Sequence, residues 1–143
     1  MNNRILIIED DRILRKACET SLVKRGFVVL TASDGEEGIR QAEELTPDLI
    51  LLDMWMPKMT GAETLAALKQ NEKTRSIPVV ILSNSSSEAG IQKTENLGAA
   101  GYLVKASLSL REMGDRVAEF LADNDQGNAG YTPKSNCVQK HTV

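Results

Sequence analysis

Residues 47–61 have the sequence PDLILLDMWMPKMTG. The four aliphatic residues at 49–52 form a continuous apolar run, which predicts a strand buried on both faces, as in a parallel sheet. The run ends on Asp53, and Pro57 and Gly61 then mark a loop. A carboxylate at the end of a buried strand is costly unless its charge is used there. Because ligands bind beyond the carboxyl ends of parallel strands, Asp53 indicates a functional site.

Four more short apolar runs alternate with amphipathic segments along the chain. They predict strands at residues 5–8, 27–32, 79–82 and 102–104. The segments between them carry apolar residues at helical spacing, which predicts five helices. In the first of these, over residues 11–25, Ile13 and Cys18 belong to the apolar set, and Gly26 ends the helix. The alternation predicts a parallel sheet covered on both faces, because each parallel connection needs a crossover and right-handed crossovers dominate. We expect the doubly wound order 2-1-3-4-5.

Three helix starts have the sequence pattern of a capping box. The pattern is Ser or Thr followed by Glu three residues later, and it occurs at residues 33–36, 60–63 and 109–112. In a capping box the hydroxyl and the carboxylate each accept a hydrogen bond from a backbone N–H group that the helix leaves unpaired. These three boxes predict the beginnings of the second, third and fifth helices.

Composition and charge exclude several classes of protein. The net charge is −3, and Lys and Arg are scattered, which argues against direct nucleic-acid binding. No apolar run approaches the roughly 20 residues of a membrane span, so we expect no membrane insertion. Cys18 lies in a predicted helix and Cys137 in a polar segment, so the two cysteines do not suggest a disulfide framework. We therefore expect a cytoplasmic protein.

The chain is expected to contain one folded domain, at residues 1–124. From residue 125 onward, Gly, Asn, Ser and Pro interrupt a segment with little to bury, so we expect residues 125–143 to be disordered. A DNA-binding output domain would need at least ~60–100 further residues. We therefore expect the domain to act without such an output domain.

Polar residues follow four of the five predicted strands. Glu9 and Asp10 follow the first strand, Asp53 ends the third, Ser83 ends the fourth and Lys105 ends the fifth. In the order 2-1-3-4-5 these four strands are neighbours, and their carboxyl ends lie along one edge of the sheet. The five side chains are therefore expected to converge at the switch point of the sheet.

This set of residues predicts a phosphoryl site that binds a metal ion. Each close pair of carboxylates costs on the order of 4 kcal/mol at an effective dielectric of about 20, so a divalent cation would relieve their repulsion. Oxygen ligands at an open site favour Mg²⁺ over Zn²⁺. Lys105 would neutralise phosphoryl oxygens and Ser83 would donate a hydrogen bond. Asp53 could then act as the nucleophile that becomes an acyl phosphate.

Residues 1–124 resemble the receiver domain of two-component response regulators, of the single-domain chemotaxis-regulator-like type. The matching stretches are ILIIEDD at 5–11, the quoted segment at 47–61, PVVILS at 78–83 and GYLVK at 101–105. The resemblance implies a flavodoxin-like α/β fold with five strands and five helices. It also implies a two-component system or phosphorelay, in which a histidine kinase or histidine phosphotransfer protein is the donor. Such a protein is a signalling switch rather than a turnover enzyme, although it assists its own phosphorylation and dephosphorylation.

The resemblance also implies a role for each site residue. Asp53 would be the phosphoacceptor, with Ser83 and Lys105 assisting the transfer. Asp10 and Asp53 would bind Mg²⁺ directly, with Mn²⁺ as an alternative ion. Glu9 would act through water, and the backbone carbonyl of Trp55 would complete the protein ligands.

Ser83 and Tyr102 resemble the pair of switch residues that respond to phosphorylation in this family. The phosphoryl group adds about −1.5 to −2 charges, which can bias such a two-state element. We expect the change to be read by an unknown downstream protein. The reading surface would be formed by the fourth helix, fifth strand and fifth helix, around Ile91, Glu95, Tyr102 and Leu108.

One departure from the family and two alternative functions bear on this interpretation. Ala106 stands where the family has a proline, often in a cis bond. A non-proline cis bond costs about 2.5–4 kcal/mol, so we predict a trans or strained bond that puts the reach of Lys105 in question. A phosphatase of the haloacid-dehalogenase type needs a second acid two residues after Asp53, where Trp55 stands. A degenerate receiver acting as a phosphorylation-independent adaptor is the other alternative, and Ala106 is the feature that favours it.

Overall fold

The computed structural model describes residues 3–84 and 87–125. The segment at 126–143, which includes most of the predicted disordered tail, lies outside the described residues, as do Ser85 and Ser86 of the predicted loop. Within the described part the elements are β1 (Arg4–Ile8), α1 (Arg12–Lys24), β2 (Val28–Ala32), α2 (Gly35–Leu45), β3 (Leu49–Asp53), α3 (Gly61–Gln70), β4 (Val79–Ser83), α4 (Glu88–Asn96), β5 (Gly101–Val104) and α5 (Leu110–Asp125). A short 3₁₀ turn at Lys105–Ser107 joins β5 to α5.

The five strands form one parallel sheet in the order β2-β1-β3-β4-β5, which confirms the predicted topology. In the register of the sheet, Ile8 of β1 lies beside Leu52 of β3. The residues that follow these two, Glu9 and Asp53, therefore stand at the same level on neighbouring strands. On the other side of β3, Asp53 lies beside Leu82 of β4.

The core has two layers, one on each face of the sheet. The first layer packs α2, α3 and α4 against the sheet, and Ile50 and Leu52 of β3 belong to it. The second packs α1 and α5, and Leu51 of the same strand points into it. Every residue of β3 is buried, as its continuous apolar run predicts. Cys18 is buried in the second layer as a free thiol.

Two of the three predicted capping boxes are confirmed. The Thr60 hydroxyl accepts a hydrogen bond from Glu63 N, and the Glu63 carboxylate accepts one from Thr60 N, so the box at the start of α3 is complete. Ser109 and Glu112 make the same reciprocal pair of hydrogen bonds before α5. Both boxes satisfy backbone N–H groups that the helix itself cannot pair.

The capping box that we predicted at residues 33–36 is wrong by one position. Asp34, not Ser33, caps α2, and its carboxylate accepts a hydrogen bond from Glu37 N at 2.8 Å. The Glu37 carboxylate then accepts hydrogen bonds from the backbone and hydroxyl of Ser33. The pairs Ser33–Glu36 and Asp34–Glu37 have the same spacing of three residues. The residue that occupies the N-cap position, with an extended backbone, is Asp34.

One prediction about the face of α1 is also wrong. Ile13 belongs to the apolar set of this helix, yet 83% of it is exposed. Cys18 and Leu22, in the later turns of the same helix, are the buried residues. Leu14, the next residue in the same turn, packs against the core layer, so Ile13 is exposed because its side chain leaves the helix on a different side. Among the described residues, no helix combines the length and the apolar character that crossing a membrane requires.

Candidate metal and phosphoacceptor site

Three carboxylates meet at the carboxyl edge of β1 and β3. Carboxylate oxygens of Glu9, Asp10 and Asp53 lie within 4.8 Å of one another. The side chains of Glu9 and Asp53 are only 3% and 4% exposed, whereas Asp10 is exposed. The register of the two strands produces this arrangement, because Glu9 and Asp53 extend neighbouring strands by one residue from the same level. The cluster therefore has two buried acids and one acid that faces solvent.

Lys105 supplies a cation that contacts both buried acids. Its Nζ lies 2.8 Å from Asp53 Oδ1 and 3.2 Å from Glu9 Oε1. The peptide bond between Lys105 and Ala106 is trans, one of the two outcomes that we predicted. The 3₁₀ turn at Lys105–Ser107, which the sequence analysis did not predict, begins at the lysine. The departure at Ala106 therefore leaves the Lys105 ammonium within reach of Asp53.

Backbone hydrogen bonds hold the loop between β1 and α1. Glu9 N donates to the carbonyl oxygen of Ala32 at 3.0 Å, which continues the β1–β2 pairing by one residue. Asp11 N donates to Glu9 Oε2 at 3.1 Å, so the loop also binds the buried carboxylate. Asp11 itself caps α1 by accepting from Ile13 N and Leu14 N. Asp11 thus has a structural role at the helix terminus.

The loop after Asp53 is folded tightly against the start of α3. Gly61 N donates to the carbonyl oxygen of Met54 at 2.9 Å. A Cβ atom at Gly61 would lie 2.5 Å from the Asp53 carbonyl oxygen, closer than real Cβ contacts allow. Glycine therefore lets the helix approach the loop that carries Trp55, which is 68% exposed. The proposed use of the Trp55 carbonyl as a metal ligand stays a prediction.

Burial shifts the pKa values of both buried acids upward. Burial is the main cause that raises the pKa of Glu9 to about 7, and the charge of Asp53 raises it further, against the hydrogen bond from Asp11 and the charge of Lys105. Burial also raises the pKa of Asp53 above 3.8, and the hydrogen bond from Lys105 opposes this. For Lys105, burial favours a lower pKa, but Asp53 outweighs it, so its pKa is raised. The charged Lys105 ammonium therefore lies beside two carboxyl groups, those of Glu9 and Asp53, that burial has removed from most of their water.

The two predicted switch residues lie in the sheet behind the acid cluster. Ser83, at the end of β4, is buried and pairs with Val104 of β5. Tyr102 is only 2% exposed and belongs to the core layer that α4 covers. The tyrosine ring is therefore turned inward in this structure.

The expected reading surface needs a correction. Ile91 and Tyr102, which we placed on that surface, are each 2% exposed and belong to the core. Ile91 packs inward because α4 must cover the first core layer with its apolar side. Glu95 and Leu108 remain partly exposed, so they stay accessible on this side of the molecule.

The donor set fits a hard divalent cation. All three acidic side chains offer oxygen, and Lys105 alone balances only one of their charges. The exposure of Asp10 leaves one side of the cluster open to solvent, so a bound ion could keep water ligands. These properties suit Mg²⁺ better than a structural zinc ion, which is usually enclosed by nitrogen and sulfur ligands.

Sequence analysis missed two residues near this site. Arg15 of α1 donates to the backbone carbonyls of Glu9 and Asp10, a contact that no spacing rule specifies. Ile13 was listed in the apolar set of α1, but it is exposed and lies on a different side of the helix from Leu14, which contacts the core. Both residues owe their environment to the direction in which α1 leaves the loop.

Comparison with known proteins supports a single family. Residues 5–118 match the model of the response regulator receiver domain. The alkaline phosphatase synthesis transcriptional regulatory protein PhoP of Bacillus subtilis is 36% identical over 121 residues, which cover 85% of this chain and 49% of PhoP. Protein PilG of Pseudomonas aeruginosa is 32% identical over 102 residues, covering 71% of this chain and 76% of PilG. The chain thus spans about half the length of curated relatives such as PhoP.

Solved structures agree with this result. The chemotaxis protein CheY4 of Vibrio cholerae superimposes with a TM-score of 0.78 at 27% identity, covering 83% of this chain and 98% of CheY4. The receiver domain of the Francisella response regulator 1452 gives a TM-score of 0.79 at 26% identity, covering 86% and 99%. Family model, relatives and structures agree, and the chain therefore belongs to the response regulator receiver family.

Proposed function

We propose that this chain is a phospho-accepting switch that takes a phosphoryl group from a phosphohistidine donor onto Asp53. The observation that carries the proposal is the Asp53 carboxylate, which lies in the acid cluster and pairs with Lys105 at 2.8 Å. In the transfer, an Asp53 oxygen attacks phosphorus and the bond from phosphorus to the donor imidazole nitrogen breaks. The bonding electrons return to that nitrogen, and Asp53 becomes an acyl phosphate.

Receiver domains are signalling switches that receive phosphate from histidine kinases and bind Mg²⁺ at an acidic pocket. Here Asp10 and Asp53 would hold the ion directly, Glu9 through water and Trp55 through its carbonyl, with Mn²⁺ as an alternative. The bound ion would offset negative charge on the carboxylates and the phosphoryl oxygens. Lys105 would neutralise a further phosphoryl oxygen.

The output of the switch would be a change in which protein the chain binds. Ser83 would donate a hydrogen bond to the new phosphoryl group, and Tyr102 would respond behind it. Because Tyr102 is buried against the layer that α4 covers, a change at Ser83 can affect the α4–β5–α5 side. The donor would be a histidine kinase or the histidine phosphotransfer protein of a relay. We propose a cytoplasmic location, which suits the free thiol of Cys18.

The two alternatives have less support. A haloacid-dehalogenase type of phosphatase lacks its second acid, because the exposed Trp55 stands two residues after Asp53. A phosphorylation-independent adaptor has no need for a buried acid cluster, which costs stability when it is left charged. Lys105 contacts Asp53 although Ala106 follows it, so the substitution at Ala106 gives the adaptor little support.

The tryptophan beside the site gives a direct test of this proposal. Trp55 is the single tryptophan of the chain and is 68% exposed, so its fluorescence should respond to ligands at Asp53. We expect Mg²⁺ to change the emission and beryllofluoride, a phosphoryl mimic, to change it again. Asp53→Asn should lose the beryllofluoride step, and Trp55→Phe should lose the signal altogether. An unchanged emission in the wild type would contradict the proposed site.

A groove along α1 would provide a docking surface for the protein donor. It runs along α1 from Arg12 to Arg25, beside the start of α5, and has a volume of about 880 Å³. Ile13 and Leu110, which are 83% and 41% exposed, supply its apolar surface. Arg12, Lys16 and Arg111 supply positive charge, on a chain whose net charge is −3. The groove therefore suits an acidic and partly apolar surface of a donor that must bring its histidine to Asp53.

Ile13→Ser should separate docking from chemistry. Burying an isoleucine side chain contributes about 1.5–3 kcal/mol, so its loss should slow transfer from a phosphohistidine protein by about tenfold or more. Transfer from acetyl phosphate, which needs no docking surface, should keep its wild-type rate. Val23→Ser is the matched control, because Val23 is a 52% exposed apolar residue on the same helix outside the groove. Equal slowing with both donors would contradict a docking role.

A further inference from the structure

Arg15 bridges two backbone carbonyls of the loop that carries the acids of β1. Its NH1 group donates to the carbonyl oxygen of Glu9 at 2.8 Å and to that of Asp10 at 3.5 Å. Arg15 lies in the first turns of α1 and is partly buried, so its side chain runs back over the loop. The guanidinium of Arg15 thus contacts the two residues that directly follow β1.

Other hydrogen bonds already hold the backbone N–H group and the carboxylate of Glu9. Glu9 N donates to Ala32, and the Glu9 carboxylate accepts from Asp11 N. β1 ends at Ile8, so the carbonyls of Glu9 and Asp10 lie beyond the strand and need partners from elsewhere. Arg15 supplies that partner. The direction of these two peptide groups determines where the Glu9 and Asp10 side chains leave the backbone.

We propose that Arg15 is a positioning residue for the cation site. It holds the peptide groups of Glu9 and Asp10 so that both carboxylates face Asp53. This inference rests on the proposed function, since it concerns the affinity of the same site for Mg²⁺. It goes further by assigning the geometry of the acidic loop to a residue that touches neither the cation nor the phosphoryl group.

Charge and position predict opposite effects of removing Arg15. A guanidinium near a divalent cation repels it, so loss of the charge alone should strengthen Mg²⁺ binding. Loss of the two hydrogen bonds releases the Glu9 and Asp10 peptide groups and should weaken Mg²⁺ binding. The sign of the change in affinity therefore distinguishes a positioning role from a purely electrostatic one.

The test measures Mg²⁺ affinity of the full chain without any phosphoryl donor, by titration calorimetry and by Trp55 fluorescence. Arg15→Met keeps an unbranched stem but removes the charge and the donors. We expect its Kd for Mg²⁺ to rise by about tenfold, the lower end of what loss of a supporting contact around a metal site costs. Arg40→Met is the matched control, because Arg40 is an exposed arginine on α2 that lies outside both the groove and the acidic loop. Its affinity should stay equal to wild type or become slightly tighter.

A second variant decides the outcome if Arg15→Met fails to fold. Arg15→Lys keeps the charge on a shorter stem with a compact head, so it should bind Mg²⁺ with an affinity between those of Arg15→Met and wild type. Wild-type affinity in either Arg15 variant, even with a lowered melting temperature, would leave Arg15 a stabilising role only and would overturn the inference. Tighter binding in Arg15→Met would overturn it as well. Absence of Mg²⁺ binding in the wild type would instead refute the proposed function.

Discussion

Asp53→Asn should accept no phosphoryl group from either acetyl phosphate or a phosphohistidine protein. The amide lacks the carboxylate oxygen that attacks phosphorus, so no acyl phosphate can form at this position. Asp53 lies in a fully buried strand, where a change of side-chain size would disturb the packing. Asparagine is close to aspartate in size, so the fold should be retained. Intact-protein mass spectrometry should show a phosphoryl adduct on wild type, removable by hydroxylamine, and none on the variant.

Asp48→Asn is the matched control for this experiment. Asp48 directly precedes β3, and its carboxylate accepts a hydrogen bond from Arg4 N at 2.7 Å, a bond that the asparagine carbonyl can also accept. This variant should therefore be phosphorylated as wild type is. A full adduct on Asp53→Asn, or loss of the adduct in Asp48→Asn, would contradict Asp53 as the acceptor.

The metal-free protein should lose stability as pH rises from about 4.5 to about 7. Burial raises the pKa of Glu9 from 4.5 to about 7, so the folded state binds more protons than the unfolded state within this window. Unfolding free energy falls with pH wherever the folded state binds more protons. At about 1.36 kcal/mol for each pH unit, the expected loss is on the order of 3 kcal/mol, measured by urea unfolding with a chelator present. The raised pKa of Asp53 acts in the same direction.

Glu9→Gln should flatten most of this pH dependence, because glutamine cannot ionise. The metal-free variant should then be more stable than wild type at pH 8 and similar to it near pH 4. Glu36→Gln is the control, since Glu36 is exposed on α2 and should leave the profile unchanged. Saturating Mg²⁺ at pH 8 should restore stability to wild type, because a ligand that binds only the folded state stabilises it. A wild-type profile that is flat without metal would contradict the burial of charge at Glu9.

The architecture of the domain could be predicted from local patterns. Five apolar runs separated by helical spacing leave few alternatives to a parallel sheet, because parallel connections are right-handed and neighbouring strands must be covered on both faces. The same topology brings the carboxyl ends of β1 and β3 together. The meeting of Glu9, Asp10 and Asp53 therefore follows from three strand-end positions and one strand order.

Details that depend on packing between distant elements could not be predicted in this way. Ser33 and Asp34 are both residue types that can cap α2, and the structure shows that Asp34 occupies the N-cap position. Ile13 belongs to the apolar set of α1 but lies on a different side of the helix from Leu14, which contacts the core, and Ile91 turns inward where we expected a surface residue. In each case the sequence pattern gives a periodicity, whereas exposure depends on which neighbouring element covers the position.

The sequence by itself determined the fold class and the set of polar residues at the ends of the strands, because these follow from hydrophobic periodicity and chain connectivity. Only the tertiary structure decided that Lys105 reaches both buried acids without a proline after it, and that Arg15 turns back to hold the acidic loop. Those contacts join residues whose separation and orientation depend on how the helices leave the sheet. Charge, burial and pKa at the site are therefore properties of the folded arrangement.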